Sequence, residues 1–470
     1  MTAQQMELSS LNKKDLHETC QNSFRYSSLD ENVNQEDEKC ISTRHQTKDD
    51  DTLTEFQGFM LLLPTYIGMG FLGLPYIVKL LGLWSGSFGL LFYGFLNELG
   101  ILVLTGSTQR LTERSGDRFG DMGRVVEMSL KLGPPWLQPH ARKLRFYIDL
   151  CTVMTYGLIM PDLISLMNTF GQDIILQYVD ISDTVSIIVI SVLLLPIYLT
   201  RRLQLLSVLA TTANIVLLAL FIISFQYICQ DLPNASTRPA TKLVDYITVT
   251  SFTNDAMFSY GGIMMVMPIR DRIKNKKNFD GWNGVLGLVL MIVTCFHVCC
   301  GFFGYLKFGE ITQVNYLLNL PGDEWGYKTM KILSFFTLYC TNGMTVFLVV
   351  EILWTPLKER LKAEIIKSYG EYICRVGLLV LSCVFTILVP EFELLMSLTG
   401  CIGILSTTFV VPYIVSMLTL YGEKEPTLLV DKIKRKLTLA LCVVMIVFGT
   451  YSMVSGIGVA VYMTLYNIVL

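Results

Sequence analysis

Two glycine-rich stretches could bind a charged solute through the peptide backbone. The first reads Ile67-Gly68-Met69-Gly70-Phe71-Leu72-Gly73-Leu74-Pro75, and the second reads Phe258-Ser259-Tyr260-Gly261-Gly262 with Pro268 beyond it. Both interrupt long apolar segments, where glycine and proline disfavour a continuous helix. The amino end of a half-helix attracts a carboxylate, and carbonyls freed by a break bind cations. Paired breaks of this kind are typical of transporter binding sites, although the glycines could instead allow close helix packing.

Five ionisable residues inside the apolar segments are the other candidates for chemistry: Glu98, Asp162, Asp255, His297 and Glu351. Such residues usually face the protein interior and often mark ion or proton pathways. Asp255, one turn before the second break, is the leading coupling candidate, followed by Asp162 and Glu351. Each could instead be a structural hydrogen-bond acceptor, and a structural role is favoured for His297. No P-loop, zinc motif or nucleophile elbow occurs, so neither a catalytic residue nor a metal site is predicted.

The elements that must position these residues are apolar helices. Only 16% of the 470 residues are charged, whereas about 25% is usual. Eleven apolar segments approach the roughly 20 residues that cross a bilayer, too long for barrel strands. They are 56–83, 86–106, 146–171, 185–199, 205–229, 247–269, 284–308, 330–353, 373–389, 392–420 and 437–466. We therefore predict an all-α polytopic protein with about eleven transmembrane helices over residues 55–470, with the lipid bilayer and no nucleic acid as a partner.

Residues 1–54 are predicted to form a disordered cytosolic tail. The first 55 residues hold 12 acids and 6 bases. Basic residues are concentrated in loops 109–145, 200–204, 270–282, 354–372 and 421–436, which predicts a cytosolic amino terminus and an extracellular or lumenal carboxyl terminus. The sequon at Asn234 then lies outside, as a glycosylation site. Tyr26-Ser27-Ser28-Leu29 has the form of a sorting signal, but chance is the favoured explanation. Plasma membrane and endosome or lysosome, and tail-binding sorting or signalling proteins, stay open.

The chain resembles the amino acid/auxin permease family, and within it the proton-coupled amino acid transporters, over residues 56–466. Besides the two breaks, the matching stretches are Met267-Pro268, Gly304-Tyr305-Leu306-Lys307-Phe308-Gly309, Leu318-Asn319-Leu320-Pro321, Glu351 with Pro356, and Leu388-Val389-Pro390. The resemblance implies a LeuT-like core of two inverted five-helix repeats plus one further helix. It also implies a transporter, not an enzyme, that carries small neutral amino acids by alternating access without a cofactor.

The resemblance also implies roles for individual residues. The backbone at Ile67, Gly68, Met69 and Gly70 would hold the substrate carboxylate, and that at Phe258, Ser259, Tyr260 and Gly261 would hold its ammonium group. Tyr156 and Asn342 would form the pocket wall. Two positions depart from the family pattern, because Leu61 stands where a histidine is common and Gly261 where an acid is common. A proton is therefore the candidate coupling ion, while an uncoupled facilitator and an amino-acid-sensing transceptor with little flux remain alternatives.

Overall fold

Helices dominate the computed structural model, because a bilayer offers the backbone no other hydrogen-bond partner. The structure describes residues 53–68, 70–117, 119–175, 182–201, 203–320, 325–360, 364–389, 392–421 and 428–469. The predicted tail lies outside these ranges except for its last two residues, so its disorder stays a prediction.

Sixteen α-helices follow one another in the described ranges. They are α1 Glu55–Ile67, α2 Leu74–Leu81, α3 Leu83–Ser115, α4 Met122–Lys131, α5 Ala141–Ile175, α6 Asp183–Tyr198, α7 Leu203–Ile228, α8 Tyr246–Ser259, α9 Ile263–Arg272, α10 Lys276–Phe279, α11 Val285–Phe308, α12 Trp325–Arg360, α13 Glu364–Leu388, α14 Phe392–Thr399, α15 Val411–Tyr421 and α16 Leu429–Val469.

Each of the eleven predicted segments coincides with a helix or with a chain of broken helices. Eight helical stretches are long and apolar enough to cross a membrane, and α1 with α2 makes a ninth that bends by 41°. The apolar helix α6 has 16 residues. Helices α8 and α9 are not among these stretches. The all-α membrane architecture is therefore confirmed, whereas the count of eleven crossings stays a prediction.

Both predicted helix breaks are present. Helix α1 ends at Ile67, and Gly68 adopts a φ of +44°, a left-handed conformation that glycine adopts without steric penalty. A 3₁₀ turn, Gly70–Gly73, then leads into α2, which carries Pro75 in its first turn. In the second break, α8 ends at Ser259 and α9 begins at Ile263. The local glycine and proline pattern thus predicts both interruptions.

A third irregular helix was not predicted. Helix α14 continues through two π-helical turns, Gly400–Ile404 and Ser406–Val410, before α15 begins. These turns lie between α5 and α8 with almost no space on either side. A Cβ atom on Gly400 would come within 2.1 Å of the Asn254 carbonyl oxygen, and one on Gly403 within 2.4 Å of the Thr155 methyl carbon. Such π-helical turns occur often at functional sites.

Charged side chains fix the loop helix α4 to the start of α5. Glu127 contacts Lys131 at 2.7 Å and Arg145 at 2.8 Å. Partial burial would raise the pKa of Glu127, but hydrogen bonds from these two cations outweigh it, so the pKa lies below its usual value. The predicted cytosolic loop is therefore ordered by a charged cluster.

Candidate functional site

The two helix breaks touch each other. The Ser259 hydroxyl at the end of α8 donates a hydrogen bond to the Gly70 carbonyl at 3.3 Å, and it also lies 3.1 Å from the Asp255 carbonyl. A Cβ atom on Gly70 would lie only 2.7 Å from the Ser259 Cα. Gly70 therefore permits direct backbone contact between segments that are 189 residues apart.

Tyr66 joins the breaks from the α1 side. A Cβ atom on Gly262 would lie 2.5 Å from the Tyr66 ring, so ring and backbone are in close contact. The Tyr66 hydroxyl is buried, has no hydrogen-bond partner among the described residues, and interacts electrostatically with Tyr156 of α5. Tyr156 is half-buried on α5, and its role in the pocket wall stays a prediction. Tyr66 could not be predicted as a site residue, because a single tyrosine within an apolar segment carries no pattern that distinguishes it from a packing residue.

The residues predicted to bind an ammonium group contribute mainly backbone. The Phe258 and Tyr260 carbonyls accept the amides of Gly261 and Gly262 at 3.1 and 2.8 Å, and a carbonyl oxygen retains a second lone pair. The Tyr260 side chain points away, since its hydroxyl donates to the Leu90 carbonyl of α3 at 3.0 Å.

Accessibility differs between the residues predicted to line the site. Ile67, Gly70 and Ser259 are buried, Gly68 is half-buried, and Gly261 is exposed. Met69 lies outside the described residues. Among these residues, the solvent-accessible backbone is therefore at Gly68 in the first break and at Gly261 in the second.

Other predicted residues are not joined to the breaks by any contact the structure shows. Asn342 is fully buried, and its side-chain oxygen accepts a hydrogen bond from Tyr198 of α6 at 2.7 Å. Glu351 is exposed, as is Leu61 at the position where the family often has a histidine. Asn234 is exposed and its side chain accepts the Ser236 amide at 3.2 Å, in a 3₁₀ turn. The roles predicted for Asn342, Glu351 and Asn234 stay predictions.

Asp255 is a carboxyl group enclosed by protein. Its exposed fraction is 0%, and Ser397 of α14 is the hydroxyl side chain that approaches its carboxyl group, without a hydrogen bond of standard geometry among the described residues. It lies one turn before the second break and interacts electrostatically with Glu393 of α14. Burial of an ionised carboxylate without a partner is strongly unfavourable. Asp255 is fully buried between the second break and α14.

Asp162 of α5 also contacts α14. It is 2% exposed, and one carboxyl oxygen accepts the Thr399 hydroxyl at 2.7 Å, while the other has no partner in the described part of the chain. Thr399 is the last residue before the π-helical turns. Two buried carboxyl groups, Asp162 and Asp255, thus flank the same irregular helix. Within the described ranges, no cluster of His, Cys, Asp or Glu could hold a metal ion.

A polar cavity of about 500 Å³ opens beside the breaks, between α2, α5, α14 and the loop 312–318. We call it the Glu393 cavity. In its wall the Tyr76 hydroxyl donates to the Glu393 carboxylate at 2.5 Å, which joins α2 to α14. Phe392, also in the wall, meets Phe258 edge-on with ring centroids 6.4 Å apart. The cavity therefore ends against the second break.

Tyr76 and Glu393 were not predicted from the sequence. They are separated by 317 residues. Glu393 also lies at the start of an apolar segment, where an acid is ordinarily taken as a residue of the membrane interface. The pair can be recognised only from its contact in the folded structure.

Comparisons with known proteins identify relatives of the whole transmembrane part of the chain. The sequence profile described as "Transmembrane amino acid transporter protein" matches residues 51–461. The chain is 29% identical over 371 residues to "Proton-coupled amino acid transporter-like protein pathetic" of Drosophila melanogaster, covering 78% of this chain and 76% of that protein. It is 22% identical over 422 residues to "Probable amino acid transporter skat-1" of Caenorhabditis elegans, covering 87% and 89%.

The fold is similar to that of a solved structure, "Inward facing conformation of Mhp1". The TM-score is 0.51 with 11% sequence identity, over 88% of this chain and 91% of that one. At this identity the likeness shows the fold alone. Because Mhp1 is LeuT-like, the similarity confirms the predicted LeuT-like fold.

Proposed function

The chain belongs to the transmembrane amino acid transporter family, the amino acid/auxin permeases, and from that premise we propose that it carries small neutral amino acids across a membrane by alternating access. The observation that carries the proposal is the contact between the two breaks, in which Ser259 donates to the Gly70 carbonyl. Two interrupted helices that meet inside a membrane protein provide open backbone groups for both ends of an amino acid.

The substrate's charged ends are assigned to the two breaks. The amides at Gly68 and Gly70, at the start of the second half-helix, attract the carboxylate, and the carbonyls at Phe258, Ser259 and Tyr260 attract the ammonium group. In the described ranges, no ion pair or hydrogen bond joins a charged side chain to 67–73 or 258–262. A charged substrate side chain would find no counter-ion, which supports a neutral substrate.

The close walls support a small substrate. The Tyr66 ring contacts Gly262, and a Cβ atom on Gly261 would lie 2.5 Å from the tip of the Ile404 side chain. Little space is therefore left for a bulky substrate side chain between α1, α9 and the π-helical turns. Tyr156 completes this wall, while Asn342 is kept as a secondary candidate because its shown contact is with α6.

Alternating access requires the half-helices to move relative to their neighbours. The left-handed Gly68 and the non-helical stretch at Gly261 provide hinges in the two broken helices. The hydrogen bond between Tyr76 and Glu393 holds α2 against α14, and the Phe258–Phe392 contact separates the Glu393 cavity from the second break. We infer that release of these two contacts opens the substrate site toward the cavity.

Asp255 is the proposed proton-coupling residue. Its carboxyl group is fully buried, so loss of its proton requires a conformation in which water or a cation reaches it. Glu393 lies in the wall of the Glu393 cavity, and we infer that protons reach Asp255 from that cavity. Asp162 is the second candidate for coupling.

An uncoupled facilitator or a sensing transceptor is the alternative function. The exposed Leu61 and Gly261, at the positions where the family often has titratable side chains, favour it. Whether the protein is a coupled transporter or one of these alternatives, Asn234 is the proposed glycan acceptor on the outer side of the membrane.

Uptake of labelled glycine, alanine and proline into proteoliposomes, at acidic and at neutral external pH, tests the proposal. We expect acid-stimulated uptake by wild type, and an Asp255→Asn variant whose uptake no longer responds to pH. Asp431→Asn, which changes an exposed acid at the start of α16, is the matched control and should behave as wild type. Wild-type uptake that does not change with pH would favour the facilitator. Amino acid binding without uptake would favour the transceptor.

A further inference from the structure

A groove on the membrane-facing side of α3 and α11 contains a carboxylate for which the structure shows no protein partner. The groove has a volume of about 390 Å³, and its wall includes Glu98, Asn278, Trp282, Asn283, Val285 and Leu288. We call it the Glu98 groove. Glu98 is 8% exposed, and within the described ranges no hydrogen bond or ion pair reaches its carboxylate. A carboxylate that faces an open groove and has no partner from the protein can pair with a cation that enters the groove.

One end of the groove is formed by the residues that lead from the predicted cytosolic loop into α11. Trp282 precedes the first turn of α11, and its ring stacks on Phe95 of α3 with centroids 6.1 Å apart. Tryptophan favours the membrane–water interface. Glu98 is three residues further along α3, toward the end that carries the loop at Ser115. The Glu98 carboxylate is therefore near the interface on the predicted cytosolic side.

The amino terminus of α11 forms a second polar wall of the groove. Gly284 caps this helix without a side-chain hydrogen bond, and Gly284, Val285 and Gly287 line the groove. The first amides of a helix have no partner within it, and together with the helix dipole they attract anions such as phosphate. The groove thus presents a negative group and an anion-attracting group side by side.

Apolar side chains extend from the groove along the membrane-facing surface. Phe95, Leu288 and Met291 are 49%, 46% and 55% exposed. Leu288 and Met291 also line the groove itself. A headgroup bound at Glu98 would therefore place acyl chains directly on this apolar surface.

We propose that the Glu98 groove binds the headgroup of an ethanolamine phospholipid. The primary ammonium group pairs with the Glu98 carboxylate, the phosphate lies at the amino terminus of α11, and the acyl chains cover Phe95 and Met291. Choline lipids fit less well because their quaternary nitrogen donates no hydrogen bond. Glycerol headgroups lack the cation, and serine headgroups add a carboxylate opposite Glu98. This inference does not depend on the proposed transport activity.

Competition between two lipids on the purified full chain tests the proposal. Phosphatidylethanolamine and phosphatidylcholine with identical acyl chains are supplied in equal amounts, and the retained lipid is counted by native mass spectrometry. We expect wild type to retain the ethanolamine lipid about tenfold over the choline lipid, the factor that one charge-assisted hydrogen bond provides. Glu98→Gln should bring the ratio near one, and Glu98→Asp should restore part of it. Glu113→Gln, an exposed acid on the same helix, is the matched control and should retain the full preference.

A headgroup series on wild type keeps the test decisive if Glu98→Gln does not fold. Retention should fall in steps from phosphatidylethanolamine through its mono- and dimethylated forms to phosphatidylcholine, as N–H donors are lost. Equal retention across the series, or an unchanged preference in Glu98→Gln, would overturn the proposal. Displacement of the lipid by free glycine or alanine would assign the groove to an amino acid instead and would overturn it as well.

Discussion

At the scale of single residues, the absence of a side chain at Gly70 brings the two breaks together. An added Cβ atom would meet the Ser259 backbone rather than a movable side chain, so α2 or α8 would have to shift. Overpacking of this kind costs about 1–3 kcal/mol. The geometry of the proposed site therefore depends on one methyl-sized space.

The Gly70→Ala variant tests this dependence. We expect amino acid uptake to fall at least about tenfold, because a shift of about 1.4 kcal/mol in the competent conformation is already tenfold. Gly106→Ala on α3 is the control, since no atom lies within 4 Å of its added Cβ and alanine favours a helix. Uptake is measured per molecule at the membrane. Normal uptake by Gly70→Ala would remove the two-break site.

The sequence was informative at this scale where the signal was local. Gly68, Gly70 and Gly261 were predicted because glycine and proline within an apolar segment disrupt a helix wherever they occur. Tyr66 and Glu393 were missed, since their importance lies in neighbours that are far away along the chain. Asn342 was predicted as a wall residue from the family resemblance alone, and the structure shows it in contact with α6.

At the scale of elements, α14 links the parts of the proposed mechanism. Glu393 in its first turn binds Tyr76 of α2, Thr399 at its end binds Asp162 of α5, and Gly400 beyond it packs on the α8 backbone. The sequence of 400–410 is that of an ordinary apolar helix. Its π-helical turns could not be predicted, because they follow from close packing against two other helices.

Removal of the Tyr76 hydroxyl should loosen α2 from α14. A hydrogen bond to a charged group contributes about 1.5–3 kcal/mol, so Tyr76→Phe should raise the open population of the Glu393 cavity about tenfold or more. The measurement is the rate at which a membrane-impermeant thiol reagent labels Leu166→Cys, a position in the cavity wall that is only 1% exposed in the closed arrangement. Tyr147→Phe, an exposed tyrosine on α5, should leave the rate unchanged. Equal rates in both variants would contradict a closing role for the Tyr76–Glu393 contact.

The Glu127 cluster should make the predicted cytosolic loop sensitive to acid. Since the pKa of Glu127 is lowered in the folded state, its contribution to stability is present above the unfolded pKa of about 4.3 and is lost as pH falls through the lower folded value. Glu127→Gln should lower the unfolding temperature at neutral pH by about 2 °C. On acidification, the unfolding temperature of the variant should then fall less than that of wild type. Thermal unfolding of the purified protein at several pH values measures this, with Glu113→Gln as the control. Parallel pH curves for wild type and Glu127→Gln would contradict the assignment.

At the scale of the whole molecule, the residues proposed to move the substrate all lie within one compact unit, Glu55–Leu470. It contains both breaks, Asp255, Asp162 and the Glu393 cavity. The all-α membrane fold was predictable because apolar segment length and the positions of the glycine breaks are global patterns. The packing of those segments was not, since segment order alone does not specify which faces meet.

Deletion of residues 1–50 separates transport from signalling. The proposed transporter has its substrate and coupling residues within Glu55–Leu470, so the truncated chain should keep uptake within about twofold of wild type, the range of a neutral change at a surface. A transceptor would keep amino acid binding and lose only its downstream signal. Uptake per molecule is measured in proteoliposomes, and delivery to the membrane is measured separately in cells, because a sorting signal at Tyr26 would affect delivery alone. Loss of uptake by correctly folded, truncated protein in proteoliposomes would mean that the first 50 residues take part in transport itself.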